Sequence, residues 1–315
     1  MSDAGGNGDT GKGAKGGSPL HRGIAWAREN LSYQQMQQAT IIALLIVLCT
    51  YAGIRSPSFL TWNNIVNNLF TNATIVGVIA LGMTLVMVGG GFDLSVASTT
   101  VVCTIVFVQV MNGCAGQGQF MAILVGIVVT ALVGMVLGAI NGVLISYVGV
   151  NAFVVTLSTM KVFRGLALII TGGGQSQQLR DLDLQSSIEW IYDAKLLYIP
   201  VPIFIFALVL VAGIYLLRYT RFGHYIYALG GNEEATWLAG INTHLVKAAT
   251  YAICGLTCAI AAVIIIGKTG TAGAESYYGL ELLVIASVIV GGTPLGGGSG
   301  GLGFTLTGIL LLKVI

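Results

Sequence analysis

RYTRFGHYIYALGGNEEATWLAG, residues 218–240, is a polar, glycine-punctuated stretch in an otherwise oily chain. Apolar runs flank it at 199–217 and 245–266. A membrane helix needs about 20 mostly apolar residues, so both flanks read as membrane spans. A membrane chain keeps such a segment when something soluble docks on it. The reading is therefore an all-α, polytopic helix bundle whose inner loop meets a partner.

Composition agrees. The 315 residues are 55% hydrophobic and only 8% charged. Soluble domains carry about 25% charged residues, so this chain cannot cover a soluble surface. The 45 glycines suit closely packed or broken membrane helices. The cysteines (Cys49, Cys103, Cys114, Cys254 and Cys258) mostly sit in apolar runs without metal-ligand spacing. They read as small packing residues, and no metal site is expected. Residues 1–22 are rich in Gly, Ser, Asp and Lys and read as a disordered tail. Residues 23–38 are either a surface-lying amphipathic helix or a lead-in to the first span.

Candidate spans run over about 39–54, 65–88, 95–112, 120–147, 152–172, 199–217, 245–266, 280–292 and 302–315. The chain ends inside an apolar run, so a further span is expected beyond it. With the N-terminus in the cytoplasm, Lys12, Lys15, Arg22, Arg28, Arg218, Arg221 and Lys247 fall inside, seven in all. Arg55, Arg180, Lys195 and Lys268 fall outside, four in all. This bias favours N-terminus in, a cytoplasmic loop at 218–244 and an outer loop at 173–198. Two apolar runs broken by glycine clusters, 79–95 and 285–297, form an internal echo of the kind that marks a transporter's pathway.

Within the first echo, Asp93 is the only acid between Glu29 and Asp181. A carboxylate at a membrane break needs hydrogen bonds or a partner. It either caps a helix starting near Ser95 or meets the solute beside Gly90, Gly91 and Phe92. Lys161 and Arg164 share one helix face and either pair structurally, snorkel to an interface, or contact solute. Asn67, Asn68, Asn72, Gln109 and Asn112 suit a polar, uncharged solute such as a sugar. Trp62, Phe70, Tyr277 and Tyr278 fit that reading or an ordinary aromatic belt. Glu275 and Glu281 flank an outer loop and either receive a basic partner or are simply solvated. Gly291 and Gly292 open the second glycine cluster, on the same pathway reading.

No nucleotide or hydrolase signature is present. The Gly-Lys-Thr at 267–269 lacks the upstream glycine spacing of a phosphate loop. If transport is ATP-driven, ATP and Mg²⁺ belong to another polypeptide, and this chain is expected to bind no cofactor. The competing class is a secondary carrier driven by an ion gradient, with Asp93 or Lys161 on the ion path; a third is a scaffold without transport.

Four stretches together carry a resemblance. GGGFDLSVAS (89–98), NAFVVTLSTMKVFRGLALIITGG (151–173), the 218–241 segment and YGLELLVIASVIVGGTPLGGGSG (278–300) stand in order along the chain. The chain resembles the ribose/xylose/arabinose-type ABC transporter permeases. The resemblance implies one permease domain over 23–315, with a vitamin-B12-importer-like fold of about ten helices, the last one missing here. It implies a bacterial inner-membrane importer of a monosaccharide or related polyol. Two permease copies line the pathway, ATP-binding subunits sit below, and a periplasmic sugar-binding protein docks above; no nucleic acid is involved. The family's coupling helix falls on 231–241. Gly231, Asn232, Glu233, Glu234, Ala235 and Gly240 match it, with the two acids offered to basic groups of the motor and Trp237 and Leu238 filling its groove. Three departures stand out. GSGG at 298–301 replaces a basic anchor, Asn151 replaces a proline and loosens that turn, and the 92–98 segment is nearer the arabinose-type version.

Overall fold

The computed structural model describes residues 33–315; the expected tail at 1–22 and most of the 23–38 lead-in lie outside the described residues. The first helix, α1 (Tyr33–Arg55), runs unbroken, so 33–38 is a lead-in to the span. A π-helical stretch, Asn63–Phe70, continues into α2 (Thr71–Val88). Then follow α3 (Val96–Cys114), α4 (Gln119–Ser146) and α5 (Ala152–Ile170). The expected outer loop is structured: β1 (Gln177–Gln178), α6 (Leu182–Asp193), β2 (Lys195–Leu196) and β3 (Ile199–Pro200). Next come α7 (Val201–Tyr219), α8 (Arg221–Gly231), α9 (Glu233–Leu238) and α10 (Thr243–Thr269). The chain closes with β4 (Thr271–Ala272), α11 (Leu280–Val290) and α12 (Leu302–Val314).

Among the described residues, seven helices, counting 63–88 as one, are long and apolar enough to cross a membrane, and α11 and α12 are shorter apolar helices. All nine coincide with the candidate spans. Helix α2 is buried along nearly its whole length, whereas α1 and α7 are largely exposed. Exposed faces of such apolar helices are ordinary where the solvent is lipid rather than water.

The scaffold rests on the crossing of α4 with α10. Gly134, Gly138 and Gly142 recur every four residues and so form one stripe down α4. A Cβ on Gly138 would stand 2.2 Å from the Tyr251 carbonyl oxygen, and one on Gly134 2.4 Å from that of Gly255. The two backbones are in contact, as small residues permit between membrane helices. Polar side chains inside the bundle bond locally or across it. Thr84 and Thr305 hydroxyls pair at 2.7 Å, joining α2 to α12.

Contacts sort the connections onto two faces. On one face β1 pairs antiparallel with β4, the Asn112 amide donates to the Gln178 carbonyl, and Lys268 donates to Asn72. Helix α6 lies there, capped by the Asp181 carboxylate, which accepts from the Asp183 and Leu184 amides. On the opposite face lie the α2–α3 break, the α4–α5 turn, α8, α9 and the 291–301 loop. The start of α1 is also there, since a Cβ on Gly292 would stand 3.6 Å from the Gln37 side chain.

Candidate functional site

The break between α2 and α3 is built by its glycines. The amides of Gly89, Gly90 and Gly91 donate back to the last carbonyls of α2, and Gly90 takes φ +82°, which a glycine adopts without a Cβ penalty. Asp93 follows, 2% exposed. Its Oδ1 accepts from the Ser95 amide and hydroxyl, both at 2.7 Å. Asn141 Nδ2, from α4, donates to Ser95 Oγ at 2.8 Å and to the Asp93 carboxylate at 3.3 Å. Tyr251, from α10, donates its hydroxyl to the Phe92 carbonyl at 3.1 Å. Asp93 thus pins the entry to α3 by bonding the residue before its first turn, and it bonds no cation among the described residues. Asp93 therefore holds the N-cap residue Ser95 rather than capping a free amide of the first turn, and α4 and α10 are attached at the same point.

Below the break stand α8 and α9. The Thr220 hydroxyl caps α8 by accepting from the Gly223 amide, and Asn232 caps α9 by accepting from the Ala235 amide at 2.9 Å. Gly240, φ +83°, lies just past the end of α9, and Asn242 caps α10. The expected docking loop is therefore two capped helices. Trp237 and Leu238 project outward, 60% and 71% exposed. Glu233, expected to face a partner, is half-exposed and also engaged within the chain: Lys247 Nζ lies 2.7 Å from both its carboxylate oxygens. Glu234 is the acid left outward, with no ion pair among the described residues.

Three glycine-rich backbones meet where α8 ends. A Cβ on Gly230 would stand 1.9 Å from the Val88 carbonyl oxygen and 2.4 Å from the Gly298 amide nitrogen. The Gly298 amide itself donates to that Val88 carbonyl at 2.8 Å, and a Cβ on Gly297 would stand 2.6 Å from Gly90. The Tyr227 hydroxyl donates to the Gly300 carbonyl at 2.9 Å. Burial pushes this phenol above its ordinary pKa, against a smaller pull from Arg218, so it keeps its proton as a donor. The two echoed glycine clusters are thus in contact with each other and with the end of α8. The GSGG departure belongs to this junction, whose contacts are made by backbone.

A cavity of about 480 Å³ opens beside the junction. Gly90, Gly91, Phe92 and Tyr251 line one part, and Glu233, His244 and Lys247 another. Asn151 lies at its rim, and its side chain accepts from the Phe153 amide at 2.8 Å. The turn expected to loosen without proline is held by this cap.

The remaining candidates are elsewhere. Asn68 and Asn72 sit at the other end of the 63–88 helix, bonded to Asn64 and Lys268. At about 1.5 Å per residue, Asn72 is some 24 Å from Val88, so these asparagines do not share a site with the break. Gly291 packs its Cα against the α12 backbone, 2.5 Å from Phe304 O for a built Cβ, and Gly292 turns the chain at φ +102°. Arg164 is buried, donating to the carbonyls of Ala274 and Ser276 at 2.5 and 2.8 Å beneath the Tyr278 ring. Lys161 is exposed. The Lys268 of the Gly-Lys-Thr ends α10 against Asn72.

Sequence reasoning missed Asn141, Lys247, Tyr251 and Gly230. A signal existed for Asn141, an amide deep inside a 28-residue apolar helix. Tyr251 and Gly230 carried none, since their roles depend on which backbones meet.

Comparison with known proteins agrees with this architecture. Residues 65–315 match the family model described as branched-chain amino acid transport system / permease component. The ribose import permease protein RbsC of Escherichia coli K12 is 37% identical over 287 residues, 88% of this chain and 84% of that protein. The D-allose transport system permease protein AlsC of the same organism is 31% identical, covering 88% and 81%. The L-arabinose ABC transporter permease protein AraH of Azospirillum brasilense is 31% identical, covering 89% and 79%. No solved structure matches. A chain of membrane-length helices, matched over most of its length in this way, belongs to the branched-chain amino acid transport system / permease component family, and its relatives are sugar import permeases.

Proposed function

We propose that this chain is the membrane subunit of an ATP-driven importer of a monosaccharide or related polyol. It lies in a bacterial inner membrane with its N-terminus in the cytoplasm, in a fold of the vitamin-B12-importer type. Two copies form the pathway. Separate ATP-binding subunits, holding ATP and Mg²⁺, dock on α9, and a sugar-binding protein docks on the face of α6 and β1–β4. The observation that carries this reading is the placement of α8 and α9. Two capped helices stand on one face, with Trp237 and Leu238 turned outward and the broken helices directly behind them. Short helices that present apolar anchors to a partner's groove are a general recognition mode, and an exposed tryptophan is a typical anchor.

Selection among sugars is left to the binding protein on this reading, since Asp93 is already committed to Ser95 and Asn141. The test is copurification of the full chain with its ATP-binding subunit, together with uptake of labelled ribose, allose and arabinose into vesicles holding all partners. Trp237→Ala with Leu238→Ala is expected to lower copurification at least tenfold, and uptake with it, a loss of hot-spot size. Unchanged copurification, or uptake that survives loss of the ATP-binding subunit and stops with an uncoupler, sinks the proposal.

A further inference from the structure

One helix, α10, touches both the break at 89–95 and α9. Lys247 and Tyr251 are four residues apart on α10 and so share a face. Lys247 holds Glu233, the first residue of α9, through both carboxylate oxygens at 2.7 Å. Tyr251, 1% exposed, holds the Phe92 carbonyl inside the break. Its hydroxyl comes so close that a Cβ on Gly91 would stand 2.6 Å from it. The 480 Å³ cavity lies between the two attachments, with Glu233 and Lys247 on one part of its lining and Phe92 and Tyr251 on another. The start of α10 is tied to the α4–α5 turn, since His244 Nδ1 lies 2.5 Å from the Ser146 carbonyl and its ring stacks on Tyr147, so that turn shifts together with the first turns of α10.

We propose that Lys247 is a positioning residue that passes displacement of α9 to the Phe92 segment through α10. When α9 is pushed or pulled, the Lys247–Glu233 pair drags the first turns of α10, and Tyr251 one turn further moves the Phe92 carbonyl. The cavity between them changes shape as a result. The inference rests on the reading of α9 as the ATPase-docking helix.

The experiment uses the full chain with its ATP-binding subunit in membrane vesicles. Phe92→Cys serves as reporter, and maleimide modification at position 92 is followed peptide by peptide with and without ATP, which keeps the native cysteines separate. ATP is expected to change the labelling rate. Lys247→Met is expected to shrink that change about fivefold, the most that a partly exposed ion pair supplies, while copurification stays intact. Glu233→Gln, which removes the other partner, gives the same loss, and Lys247→Arg keeps the response. A response undiminished in both charge-removing variants overturns the proposal. So does an equal loss in Lys247→Arg, or no response to ATP in the otherwise native chain. Failure of that chain to copurify with the ATP-binding subunit is a different result; it removes the docking role of α9 itself.

Discussion

At the residue scale, Asp93 shows how a carboxyl group is held in an apolar bundle by donors alone, with no cation bonded to it among the described residues. Its partners are the Ser95 amide, the Ser95 hydroxyl and the Asn141 amide, all donors. A carboxylate accepts from all of them, whereas an amide brings hydrogens of its own. Asp93→Asn therefore turns one acceptor against existing donors. We expect a loss of about 1–3 kcal/mol, the cost of a buried polar group left unpaired. It is read as a lower melting temperature in detergent, and an unchanged midpoint would show that the network is dispensable. Asp93 was legible in the sequence because an acid after three glycines in an apolar run is rare and costly. Its partners were not, because Asn141 lies 48 residues further on and meets it only once α4 crosses the break.

Arg164 makes the same point on the opposite face. From the sequence alone, pairing, snorkelling and solute contact all stayed open. The structure shows pairing with two carbonyls under an aromatic ring. A planar guanidinium donates to both oxygens from one nitrogen and still stacks on Tyr278, which an ammonium does not reproduce. Arg164→Lys is expected to destabilise the chain by about 1.5–3 kcal/mol, the range for hydrogen bonds to a charged group. The same melting measurement checks it, with Lys161→Met as the comparison, since Lys161 is exposed.

At the element scale, spacing decides which glycines matter. The stripe of Gly134, Gly138 and Gly142 is where α4 touches α10, whereas Gly113 in α3 has nothing within 4 Å of a built Cβ. Gly138→Ala places a methyl 2.2 Å from the Tyr251 carbonyl oxygen, so the helices must part. Overpacking of this kind costs about 1–3 kcal/mol or more. Gly113→Ala adds a methyl to open space and improves helix propensity, so it is expected to be neutral or slightly stabilising. Equal effects from the two variants would refute the close crossing. Hydropathy made the spans legible, because lipid imposes a length and polarity that a sequence displays. The crossing was invisible, since a glycine-rich chain offers many stripes and only the packed bundle selects one. The short elements α6 and α8 were read merely as polar loops, and α9 as a helix only through the family resemblance, because these helices are set by caps from Asp181, Thr220 and Asn232 rather than by long periodic patterns.

At the scale of the whole molecule, the contacts fix which connections share a face, and charge supplies the direction. The break, α8, α9, the 291–301 loop and the start of α1 lie together, while β1, β4 and α6 lie opposite. Arg218, Arg221 and Lys247 belong to the first group, and Arg55, Arg180, Lys195 and Lys268 to the second. Basic residues in short loops set orientation. The total favours the α9 face as cytoplasmic only when the basic residues of 1–32 are added to it. That makes the orientation a proposal worth testing directly. Ser186, on α6, and Trp237, on α9, are both exposed and on opposite faces. In intact cells an impermeant maleimide is expected to label Ser186→Cys, while Trp237→Cys reacts only after the membrane is opened. The reverse pattern would place α9 outside, where no ATP-binding subunit meets it, and the importer reading would fall with it. Labelling of both positions in intact cells would mean that the two faces are not separated by the membrane, against the grouping that the β1–β4 pairing and the Gly298–Val88 bond impose.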